Sequence, residues 1–261
     1  MAYELSVCVE MLFREHGEPM SEPQLKAVRA AGISMVEFWA WHGKDLDTIE
    51  RRTGELGLRV MSMVSEPTGH LVDPGTHDEF VRGVRESVQV ARRLGVPNLV
   101  VLSGNERPGV PAADQASAIV AGLRAAAPIA ETAGVTLVLE PLNTRVDHVG
   151  NFLDKTPLAL EILTEVDSPN VKLLYDLYHS VVMDEEPAKV LAGAAHLIGH
   201  VQIADHPGRH EPGSGDVDWQ HQLLSLSTLG YEGPIGLEYS PSGPDSVASL
   251  ARIRQATSGA G

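Results

Sequence analysis

Residues 200–215, His200-Val201-Gln202-Ile203-Ala204-Asp205-His206-Pro207-Gly208-Arg209-His210-Glu211-Pro212-Gly213-Ser214-Gly215, begin as an apolar run and end as a polar loop. A buried strand reads this way at its carboxyl end, so the run from Leu197 to Val201 delivers the amide of Gln202 to a loop mouth. Three other apolar runs finish alike, each on a carboxylate: Val135 to Leu139 on Glu140, Lys172 to Tyr175 on Asp176, and Ile235 to Leu237 on Glu238. The four oxygen-bearing side chains are 36, 26 and 36 residues apart. Successive strand ends of a (β/α)8 barrel are spaced in this way, which would put all four around one mouth.

The rest of the chain supports that architecture. Short β-type runs alternate with longer segments of helical periodicity, the pattern of parallel strands joined by crossover helices. The pattern predicts strands over 5–9, 35–38, 58–64, 98–102, 135–140, 171–176, 197–203 and 234–238. Helices are predicted over 22–31, 46–56, 78–94, 112–133, 157–166, 187–195, 219–229 and 245–255. Gly32, Gly57, Gly95, Gly134 and Gly230 each follow a helical segment, where a left-handed residue turns the chain toward the next strand. The expectation is an α/β fold, a single TIM barrel domain over residues 1–261, with a frayed tail at 257–261.

Composition narrows the partners. The formal net charge is −15, without an acidic tract, and this argues against nucleic acid, whose phosphates are held by clustered Lys and Arg. Cys8 is the one cysteine, and residues 1–4 lack the basic and long apolar regions of an export signal. No apolar run approaches the roughly 20 residues that span a bilayer. A cytoplasmic protein with no membrane partner is expected, and exposed apolar residues on the outer helices could support a homo-oligomer.

Three carboxylates and one amide oxygen suit a hard cation, Mg²⁺ or Mn²⁺, rather than ions that prefer nitrogen and sulfur. Buried acids at adjacent strand ends repel one another unless a cation compensates them. Such an ion, chelating a carbonyl and a neighbouring hydroxyl oxygen, stabilises an enediolate. The fifth and eighth strands face each other across the ring, so Glu140 and Glu238 could reach a substrate from two sides. One would take a carbon-bound proton and the other return it, each role worth roughly 10²–10⁴ in rate. Asp176 and Gln202 would be ligands alone. His179, on the loop after the sixth strand, and Arg209, with its planar fork of donors, are candidates for substrate oxygens. Their plainer readings are a helix-capping histidine and a surface ion pair of Arg209 with Glu211; in the functional reading Glu211 orients Arg209. His200 shares a face with Gln202 by the two-residue period and is expected inside the barrel, beneath the ligands.

Leu139-Glu140-Pro141-Leu142-Asn143, Tyr175-Asp176-Leu177-Tyr178-His179, residues 200–215 and Gly236-Leu237-Glu238-Tyr239 together resemble the hydroxypyruvate isomerase family, within the xylose-isomerase-like barrels that also include ketose 3-epimerases. The resemblance covers most of the chain and is dense from 135 to 241. It implies a metal-dependent isomerase of small keto or hydroxy-carbonyl compounds. The implied ligands are Glu140, Asp176, Gln202 and Glu238, with the two glutamates as acid/base pair and His179 and Arg209 on substrate oxygens. The amino-terminal half departs from the family: Cys8 and Glu10 stand where an Asn and a Ser are usual, and Ser240 replaces the Lys that follows the Glu-Tyr pair. Loss of that cation weakens the case for a small anion such as hydroxypyruvate.

The segment Trp39-Ala40-Trp41-His42-Gly43-Lys44-Asp45 puts two indoles near the mouth. Trp39 and Trp41 could line a pocket for a ketose ring face, or belong to the core or a subunit contact. Glu66 and His70, after the third strand, are further mouth candidates, and Phe13 a cover. Three reactions follow for a small carbohydrate or keto-acid substrate: aldose–ketose isomerisation of the hydroxypyruvate type, ketose 3-epimerisation by the same two glutamates, and metal-dependent β-elimination from a keto-sugar. A non-catalytic sugar-binding subunit is the reading from another class.

Overall fold

A computed structural model describes residues 3–68 and 70–257. Its strands are β1 (Leu5–Cys8), β2 (Met35–Phe38), β3 (Arg59–Val64), β4 (Asn98–Leu102), β5 (Thr136–Glu140), β6 (Val171–Asp176), β7 (Ile198–Ile203) and β8 (Ile235–Leu237). All pair in parallel with their sequence neighbours, and β8 returns to β1, closing the barrel. Strands covered on both faces need near-continuous apolar sequence, which these runs supply. β8 stops at Leu237, leaving Glu238 one residue beyond its end, and Leu197 belongs to a 3₁₀ turn ahead of β7.

The helices are α1 (Glu22–Ala30), α2 (Leu46–Leu56), α3 (His77–Leu94), α4 (Ala112–Ala133), α5 (Thr156–Val166), α6 (Leu177–Val182), α7 (Pro187–Val190), α8 (Trp219–Thr228) and α9 (Ser246–Thr257). The five glycines expected to end helices adopt φ between 62° and 91°, a region that costs glycine no Cβ clash.

The crossover from β6 to β7 differs from the expectation. The helix predicted over 187–195 shrinks to α7, and α6 starts directly on β6 because Asp176 caps it, its side chain accepting from Tyr178 N. His179 therefore sits on a helix and not on a loop. Residues 177–182 are too few to show a 3.6-residue period, and Val181-Val182 read as strand by composition. Thr257, expected in a frayed tail, is the last residue of α9; residues 258–261, like Met1 and Ala2, lie outside the described residues.

Two apolar regions flank the sheet. The larger fills the layer between barrel and helices, and it includes Phe13, which is fully buried at φ 58° and so is no cover for the mouth. The smaller lies in the lumen, where Val100, Val138 and Leu174 meet with Val64 and Leu102 packed against them. Ser6, Glu37, Ser62, His200 and Gln202 form a buried polar set of their own. The interior is thus apolar along β4 to β6 and polar along β1, β2 and β7, with β3 contributing Val64 to the one and Ser62 to the other. Among the described residues no helix is long and apolar enough to cross a membrane.

Candidate active site

The carboxyl ends of the strands open into a cavity of about 370 Å³. Glu140, Gln202, Glu238, His179 and Arg209 line its polar side, and Val64, Val100, Leu102, Leu142 and Trp39 its apolar side. Asp176 is buried beside them; its Cα pairs in register with Gln202, which pairs in turn with Gly236 on β8. Capping α6 occupies Asp176 Oδ1. Its Oδ2 is buried without a hydrogen-bond partner, 3.5 Å from His179 Nε2 and 3.8 Å from Arg209 Nη2. An orphaned carboxylate oxygen at that depth costs several kcal/mol unless something else meets it.

Charge crowding is the dominant physical fact of the site. Burial, then Glu238 and Asp176, push the Glu140 carboxyl well above the usual range. Burial likewise raises Asp176 to about 6, against the opposing pull of Arg209. Glu238 is held from both ends: Trp39 Nε1 donates to Oε1 at 2.9 Å and Arg209 Nη2 to Oε2 at 2.6 Å. Arg209 also lies over the Tyr178 ring at 5.1 Å, and its acidic neighbours outweigh burial to keep it firmly charged. Arg209 has φ 54°, a conformation costing roughly 1–2 kcal/mol for a residue with a Cβ. Its loop is pinned beneath by Asp205, which accepts from the backbone of His206, Gly213, Ser214 and Val217 and from Trp219 Nε1.

Ligand atoms of Glu140, Asp176 and His179 lie within 4.8 Å of one another. The histidine, however, is oriented as a donor. Asn143 Oδ1 accepts from Val146 N and Asp147 N, which fixes its amide, so Nδ2 faces Asp147 Oδ2 at 2.7 Å and His179 Nδ1 at 2.6 Å. Asn143 N approaches the same ring nitrogen at 3.3 Å. Burial, then Arg209, lowers His179 to about 3, so the ring is neutral. A neutral ring accepting at Nδ1 carries its proton on Nε2, where no lone pair is left for a cation. The oxygens of Glu140 and Asp176 fit a hard divalent cation; Gln202 and Glu238 line the same cavity, but Glu238 falls outside that close group, its two oxygens held by Trp39 and Arg209. Asn143→Asp would turn the Nδ1 partner into an acceptor and move the proton to Nδ1. Nitrogen NMR of the His179 ring should show the switch, and kcat/KM should fall about 10–100-fold with no loss of cation affinity, since the freed Nε2 lone pair faces the cation site.

Several expected mouth residues are engaged elsewhere. Trp39 is 44% exposed and lines the cavity, but Trp41 does not: its Nε1 donates to Ser87 Oγ on α3 and its ring stacks on His42. Glu66 borders the cavity, yet its Oε2 accepts from Trp41 N and His42 N, both at 2.8 Å, so it staples the loop after β2. Glu211 does not orient Arg209; it accepts from Ser242 N, Ser242 Oγ and Arg252 Nη1 and ties the β7 and β8 loops together. His70 lines a neighbouring hollow with Arg107 and His148, outside the main cavity. Cys8 lines the cavity as a thiol held protonated by burial and by Glu238, Glu10 and Glu37, and Glu10 pairs with Lys44 at 3.1 Å.

Two groups escaped the sequence reading. Asn143 stood within a quoted motif without a role. Glu37 left a signal, an acid inside the four-residue apolar strand Met35-Val36-Glu37-Phe38. It is fully buried, and His200 together with hydrogen bonds from the serines outweighs the effect of burial, holding it at about 2.

The fold and the acid-lined mouth define a xylose isomerase-like TIM barrel, and the family description of that name matches residues 25–256. The chain is 34% identical over 168 residues to hydroxypyruvate isomerase of Escherichia coli (strain K12), covering 64% of this chain and 65% of that protein. It is 33% identical over 244 residues to 2-oxo-tetronate isomerase of Cupriavidus necator, covering 89% and 91%. The crystal structure of AP endonuclease, family 2 from Brucella melitensis matches with a TM-score of 0.89 at 26% identity, over 97% of this chain and 99% of that one. The chain is also 30% identical over 245 residues to putative hydroxypyruvate isomerase of Homo sapiens, covering 88% of this chain and 87% of that protein, and within the class of xylose isomerase-like barrels it belongs to the hydroxypyruvate isomerase family.

Proposed function

We propose that the chain is a cytoplasmic isomerase of a small hydroxy-carbonyl compound, dependent on Mg²⁺ or Mn²⁺. The observation that carries this is that carboxylate oxygens of Glu140 and Asp176 lie within 4.8 Å of each other, with Asp176 Oδ2 buried and unpartnered, while Gln202 and Glu238 line the same cavity. A divalent cation bound there would polarise the substrate carbonyl and offset enediolate charge, a contribution of several kcal/mol.

The chain's own groups handle the proton. One glutamate takes it from the carbon beside the carbonyl, and the C–H electron pair enters the enediolate. A proton passes between the two substrate oxygens, and a glutamate carboxyl returns a proton to the former carbonyl carbon, where the new C–H bond forms and both glutamates end as they began, leaving an isomer of unchanged composition. Glu140 suits the exchange because burial, then Glu238 and Asp176, push its carboxyl well above the ordinary glutamate range, which strengthens its hold on a transferred proton. Arg209 and the Trp39 indole hold Glu238 in place, and His179 Nε2–H supplies a donor for a substrate oxygen. The net charge of −15 favours a small molecule over a phosphate backbone.

The apolar wall and Trp39 give the cavity more room than a three-carbon acid requires. This favours ketose 3-epimerisation as a second reading, since the same glutamates would then serve two faces of one carbon. Incubation in deuterium oxide with hydroxypyruvate, a 2-oxo-tetronate or a ketohexose, with Mn²⁺ and then with EDTA, tests both. Deuterium beside the carbonyl, lost with EDTA and restored by Mn²⁺, is expected; a shifted carbonyl identifies isomerisation and inversion at C3 identifies epimerisation. Failure of every substrate to exchange, or exchange indifferent to chelation, would defeat the proposal.

A further inference from the structure

We propose that Glu37 is a positioning residue: by accepting from Gln202 Nε2 inside the barrel, it fixes the orientation of that amide and turns its oxygen toward the cation site. The inference rests on the metal reading above. The two ends of a primary amide are nearly the same shape and opposite in hydrogen-bond sense, so a ligand glutamine needs something to decide which end faces the metal. Partners of this kind orient metal ligands in many sites.

Glu37 can make that choice because everything around it donates. Its Oε1 accepts from His200 Nε2 at 2.9 Å and from Ser6 Oγ; its Oε2 accepts from Ser62 Oγ at 2.8 Å and from Gln202 Nε2 at 2.9 Å. Turning the Gln202 amide over would set its oxygen against Glu37 Oε2, two acceptors in contact. In the observed orientation Gln202 Oε1 makes no hydrogen bond among the described residues, and the side chain lines the cavity.

The backbone is shaped around the pair. The β2–β3 register shifts between Val36 and Glu37, an irregularity of the kind that re-aims a side chain near a site. On β8 a Cβ at Gly236 would come 2.3 Å from Glu37 Oε1 and 2.9 Å from Gln202 Cγ, so only glycine leaves room for both side chains. With four donors on its two oxygens, Glu37 has little capacity left to be a ligand itself.

Mn²⁺ dissociation constants of the wild type, Glu37→Gln, Gln202→Ala and the double variant, measured by calorimetry with circular dichroism as a check on folding, test the inference. Glu37→Gln is expected to weaken Mn²⁺ about 10–100-fold in the wild-type background and by less than about threefold in the Gln202→Ala background, where there is no amide to orient. Equal weakening in both backgrounds, or none in the first, overturns it. A purely structural role would predict equal weakening. A second readout needs neither metal nor any change at Glu37. In nitrogen-labelled metal-free wild type, the Gln202 side-chain NH₂ signal, identified by its loss in Gln202→Ala, should exchange slowly with solvent. Exchange as fast as that of surface amides would also overturn the inference. Wild-type turnover with Mn²⁺ judges the isomerase reading separately.

Discussion

Glu238→Gln should lower turnover by about 10³-fold or more at saturating Mn²⁺ and abolish solvent deuterium uptake by the substrate. General acid–base roles are worth roughly 10²–10⁴, and this substitution also alters a carboxylate whose two oxygens are both engaged. Trp39 Nε1 and Arg209 Nη2 each donate to Glu238, so a glutamine must set its NH₂ against one of those donors. The mismatch releases either the indole or the guanidinium, and a released Arg209 is free to pair with Asp176, 3.8 Å away in the present structure. Mn²⁺ affinity measured on the same protein separates lost proton transfer from lost ligation. Exchange within tenfold of wild type would remove Glu238 from the chemistry.

Glu140→Gln should act in opposite directions on two properties. Mn²⁺ affinity should fall at least about 100-fold, because a ligand is lost where even an outer partner costs 10–100-fold. The metal-free protein should become more stable, because a crowded buried acid is replaced by a neutral isostere, an effect on the order of 1–3 kcal/mol. The pH dependence follows from the raised carboxyl. Above the ordinary glutamate range, the folded state still holds a proton that the unfolded chain has released. Wild-type stability without metal therefore declines as pH rises from about 5 toward the folded-state value. The variant keeps the decline that Asp176, raised to about 6, contributes but lacks the part due to Glu140, so its advantage in Tm should be small near pH 5 and grow to several degrees by pH 8. Thermal unfolding in EDTA across that range is the measurement. A variant less stable than wild type at pH 8, or one that keeps its Mn²⁺, would contradict a cation site at Glu140.

What could be read in the residues and what could not divides along the range of the forces involved. Strand and helix identity came from local periodicity, and the left-handed glycines marked the turns. Barrel closure makes four strand ends neighbours in space, so Glu140, Asp176, Gln202 and Glu238 are legible as a group in the sequence. The loop residues were not legible in this way. Glu66 and Glu211 looked like substrate contacts, but each is committed to backbone N–H groups far along the chain, at Trp41 and His42 for one and Ser242 for the other. Trp41 looked like its neighbour Trp39 until Ser87 took its indole.

The sequence alone thus determined the barrel and the acids at its rim, because both follow from patterns repeated over a few residues and from a closed sheet. Only the tertiary structure decided the state of each group there. The protonated nitrogen of His179 depends on Asn143, the facing atom of Gln202 on Glu37 and the hold on Glu238 on Trp39 and Arg209. Those choices are made by hydrogen bonds between residues 29 to 199 positions apart, and a buried donor must find its acceptor in space whatever its distance along the chain.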